Sequence, residues 1–178
     1  MKTRKLALDA VLAAMCASLG ALSLDMGSMK ITLESFPVLL GALLFGPTDG
    51  LAVGFVGTLL YQLLRYGVSA TTLLWILPYA AAGFLTGLGA KRKNFAPSPR
   101  EVLYLTVAAE ILITALNTLV LYVDSRIYGY WFQGFIAAML LPRTAACIVK
   151  SVAFGLLLPR LADRLRRALG KGENTGEL

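Results

Sequence analysis

Between Val102 and Pro159 the chain strings two long apolar runs around a short aromatic segment, and this feature limits the fold more than any other. The first run is VLYLTVAAEILITALNTLVLY, the segment is VDSRIYGYW, and the second run is FQGFIAAMLLPRTAACIVKSVAFGLLLP. About 20 apolar residues suffice for a helix to cross a bilayer, so each run reads as a membrane-spanning helix. Inside them sit Glu110, Asn117, Arg143 and Lys150. Ionisable groups within apolar spans are costly, face a protein interior, and mark ligand or ion paths. The functional reading starts from these groups and from the tyrosines and tryptophan above them.

The rest of the chain agrees. It has 178 residues, 57% hydrophobic and 15% charged, against roughly 25% charged in average soluble domains. An integral membrane protein of the all-α class follows, with six spans in one bundle. A net charge of +7 invites a nucleic-acid reading, but most Lys and Arg flank apolar runs, where they orient helices; no nucleic-acid partner is expected. Histidine is absent, which removes the commonest general base and metal ligand. No metal site is expected. Cys16 and Cys147 both fall within spans and read as small packing residues. A GxxxxGK[ST] phosphate loop is missing, so any ATP must be used by a partner. This chain itself is expected to bind no cofactor.

Met1 to Leu24 starts with Lys2, Arg4 and Lys5 and then turns apolar. It reads as a retained first span; a secretory leader is the competing reading. Ala10, Ala14, Ala17 and Ala21 share one helical face, widened by Ala13 and Gly20. Small residues let a second helix approach closely within lipid, whether from this bundle or from another protein. Asp25 to Leu33 is too polar to span and reads as a loop. Phe36 to Leu64 is interrupted by Gly46-Pro47-Thr48-Asp49-Gly50, a strong turn signal, which splits it into helices at about 33–46 and 48–66. Leu73 to Ala90 is the fourth span, and Asn94 to Arg100 is the hinge before the fifth. Residues 1–168 thus form a single six-helix transmembrane domain, and 169–178 a disordered cytoplasmic tail.

Charge decides orientation. With six crossings and the N-terminus in the cytoplasm, the inner segments hold Lys2, Arg4, Lys5, Lys91, Arg92, Lys93, Arg100, Arg160, Arg164, Arg166, Arg167 and Lys171, twelve cations in all. The outer loops hold Lys30, Arg65 and Arg126. Positive charge favours the inside, so both termini are expected to be cytoplasmic.

The outer loops then gather Tyr66, Trp75, Tyr79, Tyr122, Tyr128, Tyr130 and Trp131 at one level. An interfacial aromatic belt accounts for part of this layer, but not for Lys30, Arg65 and Arg126 within it. Flat aromatic faces with cations suit a planar, anionic small molecule. The candidate ligand set is Lys30, Arg65, Tyr66, Trp75, Tyr79, Asn117, Tyr122, Arg126 and Arg143. Glu110 lies twelve residues below Tyr122 and Arg143 ten below Gln133, about 15–18 Å at ~1.5 Å per residue. These depths predict a Glu110–Arg143 ion pair, which serves either to lock the two spans or to meet ligand. Lys150 is expected to snorkel toward the inner surface. No catalytic residue is proposed. With no His, paired Asp motif or serine elbow, an enzyme is disfavoured. A self-sufficient secondary carrier usually shows related halves, which are not evident. A substrate-binding transporter subunit fits, and a structural or chaperone-like membrane protein is its alternative.

At this point a resemblance enters. ITLESFPVLLGALLFGPTDGLAVGFVG resembles the second and third spans of the substrate-specific S components of energy-coupling factor (ECF) vitamin transporters. The alanine face of the first span resembles their AxxxA-type docking motif. NTLVLYVDSRIYGYW and the six-span layout also fit, and within the superfamily the chain looks most like the folate-family S components. The resemblance implies a prokaryotic, multi-pass plasma-membrane protein that captures a water-soluble vitamin from outside. It implies partners, a T component and two ATPase subunits, and a docking role for Ala10, Ala13, Ala14 and Ala17. By analogy, Asp25 to Leu33 closes the pocket. A folate would set its pteridine against Trp75 or Tyr79 and its carboxylates against Arg65, Arg126 or Lys30. Pantothenate, a pyridoxine-like compound, cobalamin or a queuosine precursor remain open as ligands.

Overall fold

The computed structural model describes residues 2–26, 29–132 and 134–170; the side chains of 2, 24–26, 29, 30, 135 and 136 stand outside that description, as does the proposed tail from 171 onward. Six helices form the body among the described residues: α1 (Lys2–Ala21), α2 (Ser35–Phe45), α3 (Pro47–Tyr66), α4 (Thr72–Arg92), α5 (Pro99–Ile127) and α6 (Phe135–Ala168). Asp25 to Leu33, expected as plain loop, contains a two-stranded antiparallel ribbon, β1 (Leu24–Met26) and β2 (Met29–Ile31), with Leu24 opposite Ile31.

The short helix α2 is the axle. Its sequence SFPVLLGALLF is apolar all round, and a helix of that kind must be buried on every side; all its residues except Phe36 are buried. It touches each of the other five helices. The break after it has a local cause. Gly46 sits at φ 108°, a conformation other residues rarely adopt, and Pro47 then starts α3 at a position where its missing N–H is not needed. α3 packs most extensively on α4 and α1, and α5 on α6. The α3–α4 crossing is tight: a Cβ at Gly83 would lie 2.2 Å from the Gly50 carbonyl oxygen.

Three of the described helices are long and apolar enough to cross a membrane: Thr72–Arg92, Pro99–Ile127 and the stretch Ala137–Ala168. Their outer faces stay apolar, with Leu73, Leu77, Ile111, Leu119, Leu141, Val149 and Leu156 exposed. Continuous exposed apolar surface of this kind needs a partner phase, and lipid supplies it.

Two boundaries move from the sequence-based expectation. α5 begins under a capping box, Ser98 Oγ accepting from the Glu101 N–H and Glu101 Oε2 from the Ser98 N–H. It then runs five residues past Tyr122, taking in half of the presumed aromatic loop. α6 continues through Pro142 and Pro159 to Ala168, so the basic segment from Arg160 onward is the last part of this helix. There Arg166 Nη2 donates to the Leu43 carbonyl at 3.3 Å, satisfying one of the orphan carbonyls at the end of α2. At the same end, Lys5 Nζ meets Asp49 Oδ1 at 2.8 Å and ties α1 to the first turn of α3.

A candidate ligand cavity

A cavity of about 460 Å³ lies at the other end of the bundle, away from the chain termini. Four helices, α3 to α6, contribute to it. α5 supplies Ile113, Thr114, Asn117, Leu121 and Asp124, and α6 supplies Arg143, Ala146, Cys147 and Lys150, both at the three-to-four spacing that keeps side chains on one face. α3 adds Tyr61, Gln62 and Tyr66 from its last turns, and α4 adds Trp75 and Tyr79 from its first. Ile31, Thr32 and Glu34 come from the end of β2 and the link to α2. Ser69 and Thr71 close the α3–α4 loop, and Tyr128 follows α5.

Tyr66, Trp75, Tyr79, Asn117 and Arg143, all named from the sequence, line this cavity together. Arg65, Tyr122 and Arg126 are exposed and stand outside its lining. The Tyr122 ring instead meets Trp131 edge-on, with centroids 5.0 Å apart. Lys30 belongs to β2, and its side chain lies outside the described residues. Of the small residues on α1, Ala13 and Ala17 are buried against the bundle, whereas Ala10 and Ala14 face outward.

The expected Glu110–Arg143 pair is replaced by another. Glu110 Oε2 lies 2.7 Å from Lys150 Nζ, and Arg143 Nη1 donates to Thr118 Oγ1 at 3.2 Å. The helix ends explain the change. Depths counted from Tyr122 and Gln133 misplaced both reference points, because α5 ends at Ile127 and α6 starts at Phe135. Measured from those ends, Glu110 is seventeen residues down and Lys150 fifteen, whereas Arg143 is eight down, level with Thr118 at nine. Lys150 therefore does not snorkel away; it turns inward to a buried carboxylate.

Sequence reasoning missed the acidic side of the site. Asp124, taken for part of a loop, sits on α5 and gathers three donors: the Thr71 hydroxyl, the Trp75 indole N–H at 3.3 Å, and the Tyr130 hydroxyl. One carboxylate thereby joins the α3–α4 loop, the start of α4 and the segment after α5. Burial, and then Asp124 beside it, holds the Tyr130 phenol above its ordinary range, so it remains a donor at neutral pH. The second missed acid is Glu34. It is 3% exposed, and its Oε1 accepts from Thr32 Oγ1 at 3.0 Å. Thr32 Oγ1 also lies 3.4 Å from the Tyr79 hydroxyl. The available signal was a lone acid set directly before the apolar SFPVLLGALLF, where solvation by water ends.

Among the described residues the cavity thus has flat aromatic walls, hydroxyl and amide groups, two carboxylates and two cations, one of the cations already paired. Small-molecule sites have this make-up, a mostly apolar lining with a few placed polar groups.

Comparison with known proteins agrees with this architecture. No curated protein matches the sequence. The chain is similar to a solved structure described as "Structure and mechanism of the S component of a bacterial ECF transporter", with a TM-score of 0.67 and 24% identity over 93% of this chain and 99% of that one. At that identity the likeness speaks for the fold alone. The model of the family "ECF transporter, substrate-specific component" matches residues 4–162, nearly the whole sequence. The chain belongs to the substrate-specific components of ECF transporters, a family of membrane proteins that work with T and ATPase modules.

Proposed function

We propose that this protein captures a planar, vitamin-sized heterocycle in the cavity between α3, α4, α5 and α6 and hands it to a T component driven by two ATPase subunits. The observation that carries the reading is the convergence of Trp75, Tyr79, Asn117 and Arg143 on one cavity in a chain of this family. The cavity is large enough for a ring system and a short arm, and sites of about 300–1,000 Å³ are usual for small ligands. On this reading six helices cross the plasma membrane of a prokaryote with both termini inside. The cavity then faces outward, because it lies opposite the cation-rich ends. β1 and β2, with the link to α2, form its cover. Ala10 and Ala14, exposed on α1, are the docking face toward the T component.

Folate is the specific candidate carried by the sequence resemblance. Its pteridine suits the walls of Trp75 and Tyr79, and Arg143 suits a carboxylate. A second reading has its own support: Lys150 is engaged by Glu110, and Arg65 and Arg126 stand outside the lining. That leaves Arg143 for a ligand with one acidic or acceptor group, which fits a smaller vitamin better than a dicarboxylate.

The test is ligand identity. The protein is purified in detergent without added vitamins and denatured, and released molecules are identified by mass spectrometry. Stoichiometric folate supports the first reading, and another heterocyclic vitamin the second. An empty protein that also binds no vitamin in a thermal-shift panel overturns both.

A further inference from the structure

Glu34 is the most unusual group in the cavity. Its carboxylate is almost wholly buried, with the Thr32 hydroxyl donating to Oε1 and the Tyr79 hydroxyl a second side-chain partner, yet Oε2 has no hydrogen-bond partner among the described residues. A buried polar oxygen left without a donor is costly, and such an atom in a native structure calls for a specific cause. Lys150 acts on it only from a distance, since its ammonium is ion-paired with Glu110. Space has been kept for the group: a Cβ at Gly20 would come within 2.9 Å of Oε2 and 2.9 Å of the Tyr61 ring. Two more polar atoms of the lining are buried without partners, Asn117 Oδ1, an acceptor, and Arg143 Nε, a donor. Three residues of the lining, Glu34, Asn117 and Arg143, therefore each carry a buried polar atom without a partner among the described residues.

We propose that Glu34 reads the ligand's edge, accepting from a ring N–H that lies beside an exocyclic amino group, as in a 2-amino-4-oxopyrimidine ring. This rests on the reading of the cavity as the substrate site. A carboxylate takes two parallel N–H donors from a guanidinium, and such a ring edge presents the same pair of donors. The aromatic side chains of Trp75 and Tyr79 fit the flat body of the ring, and Arg143 takes an acceptor of the ligand. A 2,4-dioxo ring of the same shape sets carbonyl oxygens on both sides of its N–H and so turns negative charge toward the carboxylate.

Matched probes test this. Isothermal titration of the full chain in detergent compares pterin with lumazine and isocytosine with uracil, with folic acid as a larger ligand bearing the amino edge. The expected result is a preference of at least about tenfold for the amino members, the lower end of what a hydrogen bond to a charged group supplies. Glu34→Gln keeps an acceptor for Thr32 and should weaken the amino members about tenfold or more while the dioxo members, no longer facing a negative charge, bind no more weakly than before. Should that variant not fold, Gly20→Ala, which displaces the carboxylate, should act in the same direction. Equal binding of both members of each pair, or unchanged selectivity in Glu34→Gln, overturns the role of Glu34 and leaves the substrate site standing. Binding by none of the probes overturns this inference; if the protein also purifies empty and binds no vitamin, the substrate site falls with it.

Discussion

Lys150 Nζ lies 2.7 Å from Glu110 Oε2, with Glu110 fully buried and Lys150 11% exposed, so an ion pair joins α5 and α6 beside the cavity. It removes one cation from the set open to ligand and leaves Arg143 as the free-standing positive group of the described lining. The pair matters to both helices, because the Glu110 carboxylate is fully buried and the Lys150 ammonium nearly so.

Breaking the pair from one side should therefore be costly. Glu110→Ala strands the Lys150 ammonium, and losing one partner of a buried pair destabilises by roughly 3–5 kcal/mol. Glu110→Ala with Lys150→Met should recover most of that loss, whereas Glu110→Ala with Arg143→Ala should recover none. Denaturant unfolding in detergent measures all of these variants. Recovery with Arg143→Ala and none with Lys150→Met would mean that Arg143, not Lys150, answers Glu110.

Arg143 and Arg65 separate the cavity from its surroundings. Arg143 donates to Thr118 through Nη1, and its Nε is buried without a partner; Arg65 is exposed and outside the lining. Arg143→Ala should weaken binding of a ligand with an acidic group by about 1.5–3 kcal/mol, the scale of a hydrogen bond to a charged group. Arg65→Ala should change it by less than about 1 kcal/mol, as exposed charges do. Titration calorimetry with the identified ligand decides, and the reverse order would move the anion site to the mouth of the bundle.

The two faces of α1 should respond differently to bulk. Ala14 is exposed, and Ala14→Trp should leave the fold and ligand binding intact while abolishing uptake by the assembled transporter. Ala13 is 5% exposed, and its carbonyl oxygen lies against Gly57 of α3. Ala13→Trp overpacks that contact and should lower stability by about 1–3 kcal/mol or more. Vesicle uptake and thermal unfolding, run on both variants, tell the outcomes apart; full uptake with Ala14→Trp would end the docking assignment.

Gly83 tests the α3–α4 crossing. With the Gly50 carbonyl oxygen 2.2 Å from where a Cβ would sit, Gly83→Ala must force two backbones apart. A loss of at least about 1–3 kcal/mol follows from overpacking, read as a lower unfolding midpoint in denaturant. Because Trp75 and Tyr79 are on the same helix, ligand affinity should fall as well. An unchanged midpoint would show that the helices cross with more room than the structure has.

The sequence by itself determined the membrane character, the helix breaks and most of the stripe of site residues, because these depend on local properties. Apolar length marks the spans, Gly46-Pro47 ends one helix and starts the next, and three-to-four spacing puts Thr114 with Asn117 and Arg143 with Lys150 whatever surrounds them. Only the tertiary structure decided which charge meets which. Pairing across α5 and α6 depends on where each helix ends. Five extra residues on α5 and a later start of α6 exchange Arg143 for Lys150 opposite Glu110. The same holds for Glu34, Thr71 and Asp124. They lie far apart in the chain and look like ordinary polar residues until the bundle brings them around one cavity, because burial and unmet hydrogen bonds are properties of an assembled fold and not of a segment.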